Sequence, residues 1–481
     1  MTIGIVCDSK GEYVYFGTSQ MLRKAWSFMV HQFKNNGYNI VLDTNSGAVH
    51  VVDELVYNII ALFEQHSLNQ ILDMLEEKYH EDDICEAYYE IRELKDVGQL
   101  FTKDIYEPYI NSFKDRPVVV KALCLHIAHD CNLACKYCFA GEGEYHGDKA
   151  LMSFEVGKKA LDFLVAHSGA NKNLEVDFFG GEPTMNFDVV KRIVEYGRSI
   201  EEANQKKFRF TLTTNGVLLN DDMIEFANKE MSNIVLSIDG RKEVNDKMRP
   251  TRNNQGSSYD IVIPKFEKVA ASRNQNNYYV RGTFTHYNLD FCEDVLHLAD
   301  LGFEQISVEP VVAPKEMDYA IKEEDLPTIC QQYDKLAKEL VKRKKEGKGF
   351  NFFHFMIDLD GGPCVAKRLS GCGSGCEYLA VTPWGDFYPC HQFVGNKDFL
   401  MGNVDEGITR TDIQKMFKDS NVYTKEQCKD CFAKFYCSGG CAANAYNFNG
   451  TINDTYDIGC TMQKKRVECA IMIKAALANN G

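Results

Sequence analysis

The segment CNLACKYCF at residues 131–139 carries three cysteines, Cys131, Cys135 and Cys138, in a C-x3-C-x2-C spacing. It follows an apolar run at 122–127 that is typical of a strand, so the cysteines begin the loop beyond that strand. Three thiolates can hold three irons of a four-iron cluster and leave the fourth iron open to a small molecule. The spacing also suits zinc, for which cysteines are common ligands. The segment therefore predicts a metal site and leaves the choice of metal open.

The overall composition narrows the class of protein. The 481 residues are enough for about three domains. The net charge of −15 argues against a sequence-independent grip on nucleic acid, which needs clustered Lys and Arg. The sequence shows neither a secretory signal nor an apolar run of the ~20 residues that span a bilayer. We therefore expect a cytoplasmic protein without membrane contact, in which most of the 18 cysteines stay reduced and the clustered ones bind metal.

Residues 1–105 predict a small α/β module. Two short strands, at 39–43 and 48–52, flank a turn, and three helices follow, beginning near Leu55, Ser67 and Asp82. Two strands and three helices suggest a winged-helix-like fold, which often binds DNA. The third helix is rich in Asp and Glu, however, and would repel phosphate. The module is therefore expected either to bind another kind of partner or to serve in packing.

Between residues 118 and 345, predicted strands alternate with amphipathic helices, which is typical of an α/β fold with a parallel sheet. The six strand candidates are 122–127, 174–179, 208–213, 234–238, 279–285 and 305–309. Six units are too few for a closed eight-stranded barrel, so we expect an open partial (β/α)6 TIM-like barrel. Ligands in such folds bind at the carboxyl ends of the strands.

Distinctive residues follow several of these strands. The sequence Gly-Gly-Glu-Pro at 180–183 comes after the second strand, where glycines let backbone N–H and C=O groups approach a ligand carboxylate and ammonium. Ser237 lies in the Ser-Ile-Asp-Gly segment that ends the fourth strand, and Arg249 follows twelve residues later. Each feature alone is a common turn or polar residue. Together they predict a ligand site at the barrel mouth.

Residues 350–475 contain ten cysteines among glycines and aromatic residues, with little periodicity. We expect this stretch to build little core of its own and to be held together by metal. Its densest part is Cys428-x2-Cys431-x5-Cys437-x3-Cys441, with Cys460 after it and Cys372 and Cys390 before it. Four-cysteine sites also hold zinc, so the metal is again open. Six isolated cysteines fit small buried apolar positions instead: Cys7, Cys85, Cys124, Cys292, Cys330 and Cys469.

The cysteine triad and the Gly-Gly-Glu-Pro motif together resemble those of the radical S-adenosylmethionine (radical SAM) enzymes. The resemblance implies that Cys131, Cys135 and Cys138 hold a [4Fe–4S] cluster whose open iron binds S-adenosylmethionine (SAM). The implied cofactor contacts are Tyr137, Gly180, Gly181, Glu182, Ser237 and Arg249. One electron from the reduced cluster would cleave the cofactor to methionine and a 5′-deoxyadenosyl radical, which requires an anaerobic setting.

The cysteine-rich tail resembles the SPASM domain, which binds two auxiliary [4Fe–4S] clusters, so the implied total is three clusters. By that resemblance the ligands of one auxiliary cluster are Cys428, Cys431, Cys437 and Cys460, and those of the other are Cys372, Cys390 and Cys441. The fourth ligand of the latter cluster is open between Cys364, Cys376 and a thiol of the substrate.

Across nearly the whole chain, the order of parts resembles the thioether-forming maturases of SCIFF (six cysteines in forty-five) peptides, in segments such as 42–50 and 379–385. The first module then resembles PqqD, the PQQ-biosynthesis chaperone, and would take the leader of a cysteine-rich precursor peptide as an added strand. The implied reaction joins a peptide cysteine sulfur to a carbon of another residue, with threonine preferred, and gives a sactipeptide-like product. A flavodoxin or ferredoxin would donate the low-potential electron.

His391 directly follows Cys390 and is a candidate for proton transfer, with a purely structural role open beside it. The related anaerobic sulfatase-maturating enzymes, which oxidise a protein Cys or Ser, carry an aspartate at that place. His391 therefore favours the thioether reaction over sulfatase-maturase-like oxidation. A third alternative, if the metal is zinc, is a non-catalytic zinc-binding scaffold.

Overall fold

The computed structural model describes residues 4–7, 13–16, 29–141, 143–145, 147–252, 256–359 and 365–478, with backbone only for 4–7, 13–16, 365 and 366. Cys364 and the side chain of Cys7 therefore lie outside the described residues. Among the helices of the described ranges, none is long and apolar enough to cross a membrane.

The N-terminal region combines small antiparallel sheets with helices. Its elements are β1 (Gly4–Cys7), β2 (Tyr13–Phe16), β3 (Val30–Asn35), β4 (Tyr38–Asp43), β5 (Val49–Val52), α1 (Glu54–Leu62), α2 (Leu68–Leu75) and α3 (Glu81–Asp96). β1 pairs with β2, and β4 lies between β3 and β5 in a second sheet. The predicted helices are present, and Ser67 forms the expected capping box with Gln70.

The sequence missed β3. Its residues read Val-His-Gln-Phe-Lys-Asn, with too few apolar positions to stand out as a strand. In the structure β3 pairs along its whole length with β4, so the second sheet has one strand more than expected among the described residues. Buried isoleucines of the helices pack on the sheet and form a small separate core: Ile59, Ile60, Ile71, Ile84 and Ile91.

The middle of the chain alternates strands and helices. After α4 (Ile110–Lys114) the elements are β6 (Ala122–His129), β7 (Ala150–Leu151), α5 (Phe154–His167), β8 (Asn173–Gly180), α6 (Phe187–Asn204), β9 (Lys207–Thr214), α7 (Asp221–Glu230), β10 (Met231–Ser237), α8 (Lys242–Met248), α9 (Ser258–Ser272), β11 (Tyr278–Phe284), α10 (Phe291–Asp300), β12 (Gln305–Pro310), α11 (Leu326–Lys345) and β13 (Asn351–Phe352). All six predicted strands are confirmed, and β6, β8, β9, β10, β11 and β12 pair in parallel in that order. The α/β class and the parallel sheet are therefore confirmed.

The last part of the chain mixes short elements with one long helix. Its elements are α12 (Val365–Ser370), β14 (Tyr378–Val381), β15 (Asp386–Tyr388), β16 (Gly402–Asn403), β17 (Gly407–Ile408), α13 (Thr411–Asp419), α14 (Glu426–Lys429), α15 (Lys434–Cys437), α16 (Ala442–Asn449) and α17 (Asp457–Ala478). β14 pairs in parallel with β6, so the sheet continues from the middle region into the tail. The strand path ends at β13 on one side and β17 on the other, which makes the sheet open.

The tail builds more core than the sequence predicts. Phe387, Phe393 and Phe399 are buried, and they belong to the same apolar cluster as the strands of the middle region. These aromatic residues lie in loops and very short elements, so their spacing in the sequence does not follow the period of a helix or a strand. The expectation that residues 350–475 build little core of their own is therefore wrong for most of this stretch.

The isolated cysteines divide into two kinds. Cys124, Cys292 and Cys469 are buried, as expected for small apolar side chains. Cys85 and Cys330 are only partly buried.

Candidate active site

The loop after β6 carries the cysteine triad, and hydrogen bonds to neighbouring segments at this edge of the sheet hold it in place. The N–H of Ala134 donates to the carbonyl of Pro250 at 3.0 Å, just beyond α8. Two donors reach the sulfur of Cys131, each at 3.5 Å: the N–H of Leu133 and the side-chain amide of Asn215, which follows β9. Such donors stabilise a thiolate and orient it. The protein thus holds this loop from two directions.

The three thiols of the loop lie close together and are partly buried. Burial raises the pKa of Cys131 to about 11 and that of Cys135 to about 12, and the thiol of Cys138 adds to both rises. The guanidinium of Arg249 opposes the rise at Cys135. A metal removes this penalty because it displaces the thiol protons. A partly buried set of three sulfur donors fits a cluster of soft metal ions.

Gly180 and Gly181 lie where β8 ends against β6. A Cβ on Gly180 would come within 2.4 Å of the carbonyl oxygen of Ala128, and one on Gly181 within 2.1 Å of that of Asp130. Only glycine fits such a close approach of two backbones. The N–H of Gly181 already donates to Ala128, and that of Glu182 to Asp130, at 2.7 and 2.9 Å. The N–H groups of Gly181 and Glu182 are therefore occupied within the protein, and the carbonyl of Gly180 accepts a hydrogen bond from the hydroxyl of Tyr145 at 3.1 Å.

The carboxylate of Glu182 is buried and joins the ends of two strands. It accepts hydrogen bonds from the hydroxyls of Thr184 and Thr214, at 2.5 and 2.7 Å, and from the N–H of Asn215 at 2.7 Å. Burial raises the pKa of Glu182, and these donors act against the rise. Because Asn215 also reaches Cys131, Glu182 supports the cysteine loop through its neighbour.

Asp239 is a residue whose role the sequence did not predict. Its buried carboxylate accepts hydrogen bonds from the hydroxyl of Tyr137 at 2.7 Å, from Nε of Arg249 at 2.9 Å and from the N–H of Thr283 at 2.9 Å. The guanidinium of Arg249 also faces the ring of Tyr137, 5.6 Å from its centroid. The carboxylate of Asp239 therefore connects three parts of the chain, namely the cysteine loop, the segment that follows β10, and the strand β11. Its position in the Ser-Ile-Asp-Gly segment was the signal available in the sequence.

A cavity of about 280 Å³ opens at the carboxyl ends of the parallel strands. This volume lies at the lower end of the range for small-molecule sites. Its walls contain every residue predicted for the SAM-binding cluster, for contact with SAM and for proton transfer. These residues are Cys131, Cys135, Tyr137, Cys138, Gly180, Gly181, Glu182, Ser237, Arg249 and His391. Several polar residues of its walls were not predicted, among them Arg281, Thr283 and Glu309.

His391 lies between this cavity and the tail. Its ring packs beside Phe139 and Phe179, with centroid distances of 5.6 and 5.1 Å. Burial lowers the pKa of His391 to about 4, and the positive charge of Arg281 lowers it further. The imidazole is therefore neutral near pH 7 and can accept a proton. Its Nδ1 lies 3.4 Å from the hydroxyl of Tyr378.

Two cysteines of the tail have other cysteines of the tail as neighbours. Burial raises the pKa of Cys428, and the nearby thiols of Cys437, Cys460 and Cys431 raise it further. Burial likewise raises the pKa of Cys390, together with Cys441 and Cys372. The assignment of all seven cysteines to two cluster sites stays a prediction.

Cys376 stands apart from the second group. Its thiol donates to the carbonyl of Gln414 at 3.3 Å, and burial raises its pKa to about 12. The charged neighbours that act on it are Arg116, Glu377 and Lys418, together with Asp419. Cys376 nevertheless lines one cavity together with Cys372.

The spacing of these donors bears on the choice of metal. Among the described side chains, no three of His, Cys, Asp or Glu converge closely enough to hold a single metal ion. A mononuclear zinc site needs its sulfur ligands about 2.3 Å from one ion, whereas a four-iron cluster binds each thiolate at a different iron. The described side chains therefore do not decide between the two metals.

Comparison with protein families agrees with this geometry. Residues 125–301 match the model of the Radical SAM superfamily. This part of the chain is a radical SAM domain. Such a domain uses SAM together with an iron–sulfur cluster, and the match covers the strands from β6 to β11 and the triad between them.

Relatives extend beyond this domain. A cysteine-type anaerobic sulfatase-maturating enzyme of Clostridium novyi is 26% identical over 68% of this chain and 88% of its own length. The radical SAM cyclopropyl synthase TigE of Paramaledivibacter caminithermalis is 21% identical over 80% of this chain and 79% of its own. The solved structure of native anSMEcpe with bound AdoMet and Cp18Cys peptide is 20% identical, with a TM-score of 0.60, and covers 75% of this chain and 99% of that one. At this identity the structural match shows the fold.

Proposed function

We propose that the protein is a radical SAM enzyme that installs a thioether cross-link, from a cysteine sulfur to a carbon of another residue such as threonine, in a ribosomally made cysteine-rich peptide. The supporting observation is that the cysteine triad, the candidate SAM contacts and His391 all face one cavity. Behind His391 lie the thiols of the tail, beginning with the adjacent Cys390. The proposed regions are a leader-recognition module at 1–105, a partial barrel at 118–345 and a SPASM domain at 350–475.

In this proposal Cys131, Cys135 and Cys138 hold the [4Fe–4S] cluster. When bound, cluster and SAM supply a 5′-deoxyadenosyl radical that can abstract hydrogen from an unactivated carbon. Ser237 and the carbonyls near Gly180 would contact the methionine part of SAM. The carboxylate of Asp239 would hold Tyr137 and Arg249 in place against SAM, because both side chains donate hydrogen bonds to this carboxylate.

We assign His391 to proton transfer with the substrate thiol. It lines the cavity, and burial lowers its pKa to about 4, so the imidazole is neutral near pH 7 and is a weak base. Cys372, Cys390 and Cys441 would hold one auxiliary cluster, and Cys428, Cys431, Cys437 and Cys460 the other. The total of three clusters corresponds to about twelve irons per chain.

The proposed partners follow from the same arrangement. In the N-terminal region β3 and β5 are both outer strands of their sheet, and an extended leader peptide can pair with such an edge. The electron would come from a low-potential flavodoxin or ferredoxin. These steps belong to the cytoplasm, where thiols remain reduced.

A second candidate function is sulfatase-maturase-like oxidation of a protein Cys or Ser. It is supported by the Clostridium novyi relative and by the peptide held in the anSMEcpe structure. The two reactions give different products. A thioether removes two hydrogens and keeps the sulfur, whereas maturation of a cysteine to an aldehyde removes the sulfur.

The first test removes the triad. In the anaerobic, iron-loaded enzyme, the combined change Cys131→Ala, Cys135→Ala and Cys138→Ala should abolish formation of 5′-deoxyadenosine while iron remains in the tail. Cys330→Ala, a partly buried cysteine outside all three groups, is the matched control and should keep the activity. Continued SAM cleavage by the triple variant would contradict the site assignment.

The second test decides between the reactions. The enzyme is incubated with SAM, a reductant and a leader-bearing peptide that contains Cys and Thr, and the product is sequenced by mass spectrometry. Loss of two hydrogens with sulfur retained at a Cys–Thr pair supports the thioether. Loss of sulfur from the same cysteine supports the sulfatase-type reaction instead.

A further inference from the structure

Lys425 is a buried lysine in the cysteine-rich tail. It immediately precedes α14, and only 4% of the residue is exposed. Its ammonium donates to the carbonyl oxygens of Gly439 at 2.8 Å and Asp454 at 3.3 Å. Both acceptors are neutral backbone groups, so they fix the position of the charge and leave its sign unchanged.

The position of Lys425 relates it to both cysteine groups. Gly439 lies between Cys437 of one group and Cys441 of the other, and Cys428 follows Lys425 by three residues. A Cβ on Gly439 would lie 3.6 Å from Cδ of Lys425, so the stem of the lysine packs against that backbone. The positive charge of Lys425 acts on the thiols of Cys428, Cys437 and Cys441. The ammonium is therefore shared between the two candidate cluster sites.

A second buried lysine of the tail shows a different arrangement. Lys434 is 3% exposed, but its ammonium lies 2.8 Å from the carboxylate of Asp104, which neutralises it. Among the described residues Lys425 forms no ion pair with a carboxylate, and its hydrogen bonds go to the two carbonyls. Burial lowers the pKa of Lys425, whereas the four thiols of Cys428, Cys437, Cys441 and Cys460 raise it. Thiolates are thus its electrostatic partners.

We propose that Lys425 places an uncompensated positive charge between the two auxiliary cluster sites and raises the reduction potential of the clusters held there. Reduction adds a negative charge to a cluster, and a nearby cation in a poorly hydrated site stabilises that charge. Lys425 acts through the clusters and is a positioning charge, with no contact to substrate. This inference rests on the proposed function, because it requires iron–sulfur clusters in the tail.

The test uses the full-length chain with Cys131, Cys135 and Cys138 changed to Ala, so that only auxiliary clusters contribute to the spectra. After anaerobic loading, redox titration followed by electron paramagnetic resonance gives their midpoint potentials. Lys425→Gln keeps a hydrogen-bond donor and removes the charge. It should disfavour reduction of at least one cluster by about tenfold or more, which is about 59 mV for one electron.

Two further variants separate charge from structure. Lys425→Arg keeps the charge and should restore the potential. Lys429→Gln removes an exposed lysine four residues away and should leave it unchanged, since solvent screens such a charge. Unchanged potentials in Lys425→Gln with full iron content would overturn the proposal. A fall in reduction potential in Lys425→Gln that Lys425→Arg reproduces would also overturn the proposal, because arginine keeps the positive charge. Absence of iron from the parent protein would overturn the proposed function and this inference with it.

Discussion

The mouth of the sheet and the thiol-bearing segment of the tail, residues 426–460, both carry grouped cysteines, but the chain supports those cysteines in different ways. At the mouth, Cys131 follows an eight-residue strand, and buried carboxylates of Glu182 and Asp239 fix the surrounding loops. In the tail, α14 and α15 have four residues each, and the buried lysines Lys425 and Lys434 lie beside the cysteines. The comparison teaches that a long parallel sheet and buried carboxylates support the first group of cysteines, whereas short elements carry the second.

Removal of iron is expected to produce the largest difference between the two regions, measured as the rate of amide hydrogen exchange. Amides of residues 426–460 should exchange with solvent at least about tenfold faster after chelation, because little regular structure protects them. Amides of β8, β9 and β10 should keep their protection, since the parallel ladder does not involve the metal. Hydrogen exchange followed by mass spectrometry on loaded and iron-free protein measures both.

The variant lacking Cys131, Cys135 and Cys138 provides the control for this experiment. Loaded with iron only in the tail, it should show protected amides both in 426–460 and in β8, β9 and β10. Equal loss of protection in the sheet and in the tail of the chelated protein would contradict the contrast between the two sites.

The next largest effect is expected from Asp239→Asn. The change leaves the buried Arg249 without its carboxylate, and breaking a buried ion pair costs about 3–5 kcal/mol. For a domain of this size we expect a fall in Tm of about 10 °C, measured by calorimetry on the loaded protein. Asp290→Asn removes an exposed partner of Arg241 and should shift Tm by no more than about 2 °C. Similar effects of the two changes would show that Asp239 does not organise the mouth.

A smaller effect, of opposite sign, is expected from Asp177→Asn in β8. Burial raises the pKa of Asp177 to about 6, and the charge of Glu175 adds to the rise. Because the folded-state pKa lies above the unfolded value, the ionised form opposes folding: the penalty is full above pH 6 and fades as pH falls toward 4. The change should therefore stabilise the protein by up to about 3 kcal/mol at pH 8 and by less at pH 5.

Denaturant unfolding between pH 5 and pH 8 measures this dependence. Asp405→Asn, which removes an exposed partner of Lys159, should have a small effect at every pH. A gain from Asp177→Asn that does not decline with falling pH would contradict the shifted pKa. A confirmed decline would show that the sheet tolerates a buried carboxylate that weakens it, which the short elements of the tail could not do.

Much of the sheet could be predicted because each strand is a local apolar run followed by an amphipathic helix. The triad and the Gly-Gly-Glu-Pro motif were equally visible, since their chemistry lies in closely spaced residues. The structure adds the contacts between residues of different loops, which the spacing of residues in the sequence cannot show. The roles of Asp239 and Lys425 depend on partners in other loops, and the N–H groups of Gly181 and Glu182 are taken by β6 and the residue after it.

The N-terminal sheet and the tail core were harder for a related reason. β3 presents too few apolar residues to be recognised, and it becomes a strand only by pairing with β4. The buried Phe393 and Phe399 lie in irregular segments, where no repeat marks them. In both places long-range packing, and not local preference, decides the conformation.

The parallel pairing of β14 with β6 has a consequence for biogenesis. Tyr378 pairs with Ala122, 256 residues earlier in the chain. At a synthesis rate of about 5–20 residues per second, the nascent strand waits tens of seconds on the ribosome for this neighbour. During that interval one edge of β6 stays bare and invites wrong pairing, so a chaperone has reason to cover it.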